Sequence, residues 1–248
     1  MSGPVTNPKL TPGGDGWSRF RGFSLLFENP AGKPILFEAL EQSLSAPEAD
    51  AAIPGFHPLP PASYHVTVWD GVNDGNLAQV PPPFRAEWTA FLDTLPHADL
   101  PAGLFREIAA SELVTRPDWN LGLRAAQLEN WGNVSLVLRL TPAGDPDADR
   151  LRRLTAARDT LTAAFAERFG VRPHPDYTPH VTLGYFANEE AAAGAAAYIS
   201  RWNRDRLPEL DGRTLRFERI RPSLFTDMAS FGRDPAFPRF SRLPPTAE

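Results

Sequence analysis

The sequence predicts an α+β fold with antiparallel strand pairing. Three observations carry that prediction. Two tetrapeptides, His65-Val66-Thr67-Val68 and His180-Val181-Thr182-Leu183, alternate polar and apolar residues at the period of a half-buried strand. Between them, residues 147–169 place Leu151, Leu154, Leu161, Phe165 and Phe169 at helical spacing. Helical and strand-like stretches also succeed one another with antiparallel-type connections, and no internal repeat beyond the tetrapeptide is visible.

In chain order, residues 1–16 are Pro/Gly-rich and read as a flexible lead-in. Residues 20–27 read as a first strand, stopped by Asn29-Pro30. Leu36, Phe37, Leu40 and Leu44 recur at helical spacing over 35–44. A Pro-rich stretch, 46–62, reads as a loop that delivers the first motif strand, 64–69, ended by Asp70-Gly71. Phe84, Trp88, Phe91 and Leu92 mark a helix over 83–95, and a short helix is expected around 104–112. Strands are expected over 121–128 and 133–140, joined by a turn at 129–132. In the long helix Asp145 is placed to cap, Pro146 suits the first turn and Gly170 follows the end. The second motif strand is 178–186; Asn188 then caps an Ala-rich helix to about Arg204. Residues 215–225 read as a last strand, and 243–248 as a frayed tail.

The 248 residues suffice for a full core, and one domain over 17–242 is expected. The chain has no cysteine, which excludes disulfides, thiolate metal sites and cysteine nucleophiles and fits a reducing cytoplasm. The N-terminus shows no charged-then-apolar signal pattern, and no apolar run has the length of a membrane span. A net charge of −5 without a basic footprint argues against duplex nucleic acid as a partner. A small phosphate ester or RNA end needs only a local positive site. A monomer is expected.

Two of the five histidines occupy the same tetrapeptide, 115 residues apart, which average residue usage would produce about once in a hundred such chains. In a strand, His65 and Thr67 share a face while Val66 and Val68 point into a core, and His180 and Thr182 repeat the arrangement. Either histidine alone is most simply a solvent-facing or satisfied strand residue; the pairing with threonine in both strands is what points to a site. Two imidazoles can give and take a proton near neutral pH, each step contributing a rate factor of about 10²–10⁴. Threonine hydroxyls can donate to the non-bridging oxygens of a phosphodiester, where charge grows in the transition state. That chemistry requires no metal. A zinc site built from His57, His65, His174 and His180 has no short ligand spacing to support it.

By strict alternation Trp69 and Phe186 fall on the histidine faces, where core packing is the simpler account and walling the cleft or stacking a base the alternative; Tyr185 falls on the opposite, core face. Arg21, Arg124, Arg139 and Arg221 sit in predicted strands, where salt-bridging is the simpler account and a phosphate contact the alternative. His57, His97 and His174 lie in Pro-rich contexts and receive no role.

The paired His-x-Thr-x strands resemble the 2H phosphoesterase superfamily, which includes LigT-like cyclic nucleotide phosphodiesterases. The stretch from Leu59 to Val72 is similar to a little-characterised bacterial branch of it. The resemblance implies a bilobal fold, two pseudo-symmetric antiparallel-sheet lobes with helices outside and a central cleft. It implies His65, Thr67, His180 and Thr182 as the catalytic set, His65 as acid and His180 as base, and no metal or other cofactor. The implied reaction is hydrolysis of a 2′,3′-cyclic phosphate on a nucleotide or RNA end. The alternatives are a 3′-end exonuclease or 2′,5′-phosphodiesterase on the same site, and a nucleotide-binding module without turnover. Extra length around residues 96–130 separates the chain from the small members.

Overall fold

The computed structural model describes residues 3–28, 35–44, 53–96, 100–172 and 176–231. His97, His174 and the tail 243–248 lie outside them. Eight strands form two antiparallel sheets. The strands are β1 (Gly22–Glu28), β2 (Phe56–Pro58), β3 (Thr67–Asn73), β4 (Leu121–Trp131), β5 (Ser135–Pro142), β6 (His180–Phe186), β7 (Thr214–Phe217) and β8 (Arg219–Phe225). One sheet has the order β3-β1-β8 and the other β2-β6-β5-β4-β7. The α+β class with antiparallel sheets is as expected.

Around them run α1 (Ile35–Leu44), α2 (Pro82–Asp93), α3 (Ala102–Ala110), α4 (Glu112–Thr115), α5 (Asp145–Phe169), α6 (Glu189–Gly194) and α7 (Ala196–Asp205). Gly170 ends α5 in the left-handed region, with φ 70°, where glycine carries no Cβ penalty. Gly144, rather than Asp145, is the N-cap of α5; Asp145 and Asp147 instead lie in its first turn, favourable beside the positive end of the helix dipole. Asn188 accepts from the Ala191 N–H at 2.9 Å as the cap of α6. The single Ala-rich helix expected after it breaks at Ala195 into α6 and α7.

Three further boundaries differ from the sequence expectation. β3 continues past Asp70-Gly71 to Asn73, because β1 pairs with it as far as Gly22 opposite Asn73. β4 runs through Glu129 to Trp131, so the hairpin turn lies at 132–134. The expected last strand divides at Glu218, whose carbonyl accepts from Trp119 N–H at 2.6 Å; β7 pairs with β4 and β8 with β1. One chain segment thereby passes from the second sheet into the first.

The buried face of the first sheet is aromatic. Phe23 lies 4.7 Å from Phe105 and 5.5 Å from Trp88 between ring centroids, which packs α2 and α3 on β1. Helix α5 meets the same layer: Trp69 contacts Phe165, and its indole N–H donates to Thr162 Oγ1 at 3.0 Å. The buried apolar residues of both sheets form one continuous core.

The described residues of the segment expected as a flexible lead-in over 1–16 are tied to the second sheet at Thr6 and Asn7. Thr6 and Asn7 N–H groups donate to the Ala187 carbonyl. Asn7 is buried, and its side-chain amide donates to the carbonyls of Phe186 at 2.8 Å and Val134 at 3.1 Å. Leu10 pairs with Trp17 in a small antiparallel turn.

Candidate active site

The two sheets meet at the motifs. Val66, just before β3, forms an antiparallel bridge with Val181 on the edge of β6. Each bridge partner is the central apolar residue of its tetrapeptide. Continued by one residue either way, that register sets His65 opposite Thr182 and Thr67 opposite His180. Residues directly opposite share a face, so both histidines and both threonines project from one surface. Burial follows the same alternation: the four polar residues are partly exposed, while Val66, Val68, Val181 and Leu183 are buried.

Each imidazole is tethered in the same way. His65 Nδ1 lies 2.7 Å from the Ser63 carbonyl oxygen, and His180 Nδ1 lies 2.9 Å from that of Thr178. A carbonyl only accepts, so Nδ1 carries the proton in both neutral rings and Nε2 is the nitrogen opposite the tether. Each ring also touches an aromatic: His65 with Phe231 at 4.3 Å and His180 with Trp131 at 4.2 Å between centroids. Burial pulls the His180 pKa below its ordinary value, opposed by the Thr178 carbonyl and by Asp70.

A β-bulge follows the threonine in each motif. Against β1, Thr67 and Trp69 face consecutive residues Leu26 and Leu25, leaving Val68 extra. Against β5, Thr182 and Gly184 face Val137 and Leu136, leaving Leu183 extra. The bulged carbonyls are satisfied from outside the ladders. The Arg158 Nε–H of α5, itself buried, donates to the Val68 carbonyl at 3.0 Å, and Leu59 N–H donates to that of Leu183 at 2.9 Å.

The bulges overturn the face that strict alternation gives Trp69 and Phe186, and leave core packing as the account of both. One extra residue inverts the alternation beyond it. Trp69 therefore packs on Phe23 and Phe165, and Phe186 on Phe56, both in the core rather than on the cleft. The same inversion brings Asp70 and Tyr185 to the histidine face. Asp70 is exposed, accepts from Ser24 Oγ at 3.0 Å, and acts electrostatically on His180 and Tyr185. The Tyr185 hydroxyl, raised in pKa by burial, donates to the Met228 sulfur at 3.2 Å, and its ring meets Trp17 edge-on.

Of the arginines, Arg21 is held by Asp74 and Asp93, and Arg139, in register with His180, pairs with Glu129 at 2.7 Å. Arg221 lies on the cleft face of the first sheet, on β8 opposite Leu26, which itself faces Thr67. His57, given no role, lies on β2 in register with Tyr185. Lys9 of the N-terminal segment sets its ammonium over the Phe20 ring; burial pulls its pKa down to about 7 against the opposing fields of Asp70 and Asp74. Among the described residues no group of three His, Asp or Glu side chains is arranged to hold a metal ion. None of their helices is long and apolar enough to cross a membrane.

No protein-family model and no curated protein sequence matches the chain. Among solved structures, a conserved protein of unknown function from Agrobacterium tumefaciens is 18% identical, with a TM-score of 0.58 over 93% of this chain and 92% of that one. E. coli LigT in its apo form is 16% identical over 69% of this chain and 75% of that one, with a TM-score of 0.36. Kluyveromyces marxianus Usb1 with uridine monophosphate is 16% identical over 86% and 95%, with a TM-score of 0.39. The chain has the fold of the Agrobacterium protein over nearly its whole length.

Proposed function

We propose that the protein is a phosphodiesterase of the 2H type that opens a 2′,3′-cyclic phosphate on a nucleotide or RNA end. The observation that carries this reading is the Val66–Val181 bridge, which sets two His-x-Thr motifs against each other with both Nδ1 atoms tied to carbonyls. His180 Nε2 takes a proton from the attacking water as the new P–O bond forms. His65 Nε2–H gives a proton to the departing ribose oxygen as the old P–O bond breaks. The phosphodiester becomes a phosphomonoester, and the two histidines end with their protonation states exchanged. Thr67 and Thr182 hydroxyls donate to the non-bridging oxygens. The burial of His180 supports its role as base, because a lowered pKa keeps it neutral at pH 7. The enzyme acts as a monomer, without a cofactor, in the cytoplasm.

The test is hydrolysis of a panel of nucleoside 2′,3′-cyclic monophosphates with chelator present. His65→Ala and His180→Ala are each expected to lower kcat by about 10²–10⁴. Full activity in both variants would remove the histidines from the chemistry, and activity abolished by chelation would replace the metal-free scheme.

A further inference from the structure

Tethering through Nδ1 fixes one edge of each imidazole and does not by itself set χ2. Here the aromatic contacts matter. Trp131 ends β4, two strands from β6 and opposite Ser135 on β5, and its ring lies against His180 at 47°. The indole is itself held. Its N–H donates to Glu129 Oε2 at 2.8 Å, and Glu129 Oε1 accepts from Arg139 Nε at 2.7 Å. Arg139 is in turn the cross-strand neighbour of His180. Arg139, Glu129 and Trp131 thus close a loop around His180 on the cleft face. Phe231 does the same for His65 at 45°, and is anchored by a backbone bridge to Phe225 and a ring contact of 4.9 Å with it.

We propose that Trp131 and Phe231 are positioning residues for the two motif histidines: each ring closes the face that the carbonyl tether leaves open, so that Nε2 stays aimed into the cleft. This rests on the acid–base reading above. A misplacement of about 1 Å in a reacting group can cost about a hundredfold in rate, so packing against the rings bears directly on turnover. Neither ring touches the scissile phosphate in this scheme; both act through a histidine.

Among the described residues, the charged and titratable groups on the face of His180 include His65 from the facing motif, Asp70 from β3, Arg139 from β5, Glu129 from β4 and Tyr185 from its own strand. Trp131→Ala leaves all of them in place. Trp131→Phe keeps a ring but loses the bond to Glu129, which separates packing from anchoring. Glu129→Gln keeps the ring and weakens the anchor, and serves if the alanine variant does not fold.

The experiment combines long-range proton–nitrogen spectra of the imidazoles with kcat and KM on a nucleoside 2′,3′-cyclic monophosphate. In wild type, above the histidine titration range, both histidines are expected as single neutral Nδ1–H tautomers. In Trp131→Ala, His180 is expected as a mixture of tautomers, its titration midpoint moved up toward the ordinary value, with kcat down about tenfold or more and KM within about twofold. Trp131→Phe, which keeps a ring without the anchor, and Glu129→Gln, which keeps the ring with a weakened anchor, are both expected to fall between Trp131→Ala and wild type in tautomer and kcat. Phe231→Ala should disturb His65 and leave the His180 tautomer alone. A native His180 tautomer and midpoint in Trp131→Ala would overturn the proposal, even if kcat fell with a lowered melting temperature. An absence of turnover in wild type would instead sink the hydrolase reading, while the tautomer spectra would still decide the positioning role.

Discussion

Burial holds the His180 imidazole neutral in the folded protein, with consequences for both activity and stability. As pH falls, the unfolded chain takes up the histidine proton near its ordinary value of about 6.5, before the folded one does. The His180 contribution to stability is therefore complete above about pH 6.5 and is lost as pH falls below it. In the proposed scheme, with His180 as base, activity is also kept to lower pH. The acid limb of kcat/KM is expected to have its midpoint below about 6.5. A pH–rate profile checks this, and an acid limb centred above 6.5 would contradict the base assignment. Gly184 is a second residue with a defined physical demand. An added Cβ there would run into the His57 carbonyl and the Phe56 ring, where backbone cannot yield cheaply. Gly184→Ala is expected to cost about 1–3 kcal/mol, read from the urea midpoint. The repeated His-x-Thr alternation at 65–67 and 180–182 was legible from spacing alone. Asp70, Tyr185, Trp131 and Phe231 were not, because no local pattern distinguishes them from ordinary strand and loop residues.

At the scale of the element, the bulges after Thr67 and Thr182 do most to shape the cleft. A β-strand read from sequence has a period of two throughout, and one extra residue breaks it without any compositional sign. Val68 and Leu183 are ordinary strand residues; what permits the bulge is a donor elsewhere in the chain for each displaced carbonyl. For Val68 that donor is the buried Arg158 of α5. Arg158→Met keeps the apolar stem but removes the donor, leaving a buried carbonyl unsatisfied. A loss of roughly 1.5–3 kcal/mol is expected. Because the bulge orients Thr67 and Asp70, kcat is expected to fall as well. Native stability in chemical denaturation would show that another donor serves the carbonyl. Helices with caps and long apolar stripes, such as α5, were readable to within a few residues. The split of the last strand at Glu218 was not, since both halves alternate alike and only their partners, β4 and β1, differ.

At the scale of the whole molecule, the two sheets share one continuous core, the β7–β8 segment crosses between them, and the motif bridge joins them again. The N-terminal segment adds a further tie through Asn7. A single calorimetric transition is expected, with equal calorimetric and van't Hoff enthalpies. Asn7→Ala should shift that whole transition, at a cost of about 1–3 kcal/mol, and not split a separate step from it. Two resolved transitions would show lobes that unfold independently. By itself the sequence determined the α+β class, most helices and strands, and the four motif residues, because helix periodicity, capping and strand alternation are local and written in adjacent positions. Only the tertiary structure decided that the two motifs bridge at their central valines, which rings press on the histidines, and which residues beyond the threonines face the cleft. Those outcomes depend on pairing across 115 positions of chain and on donors supplied from distant elements, neither of which leaves a local trace.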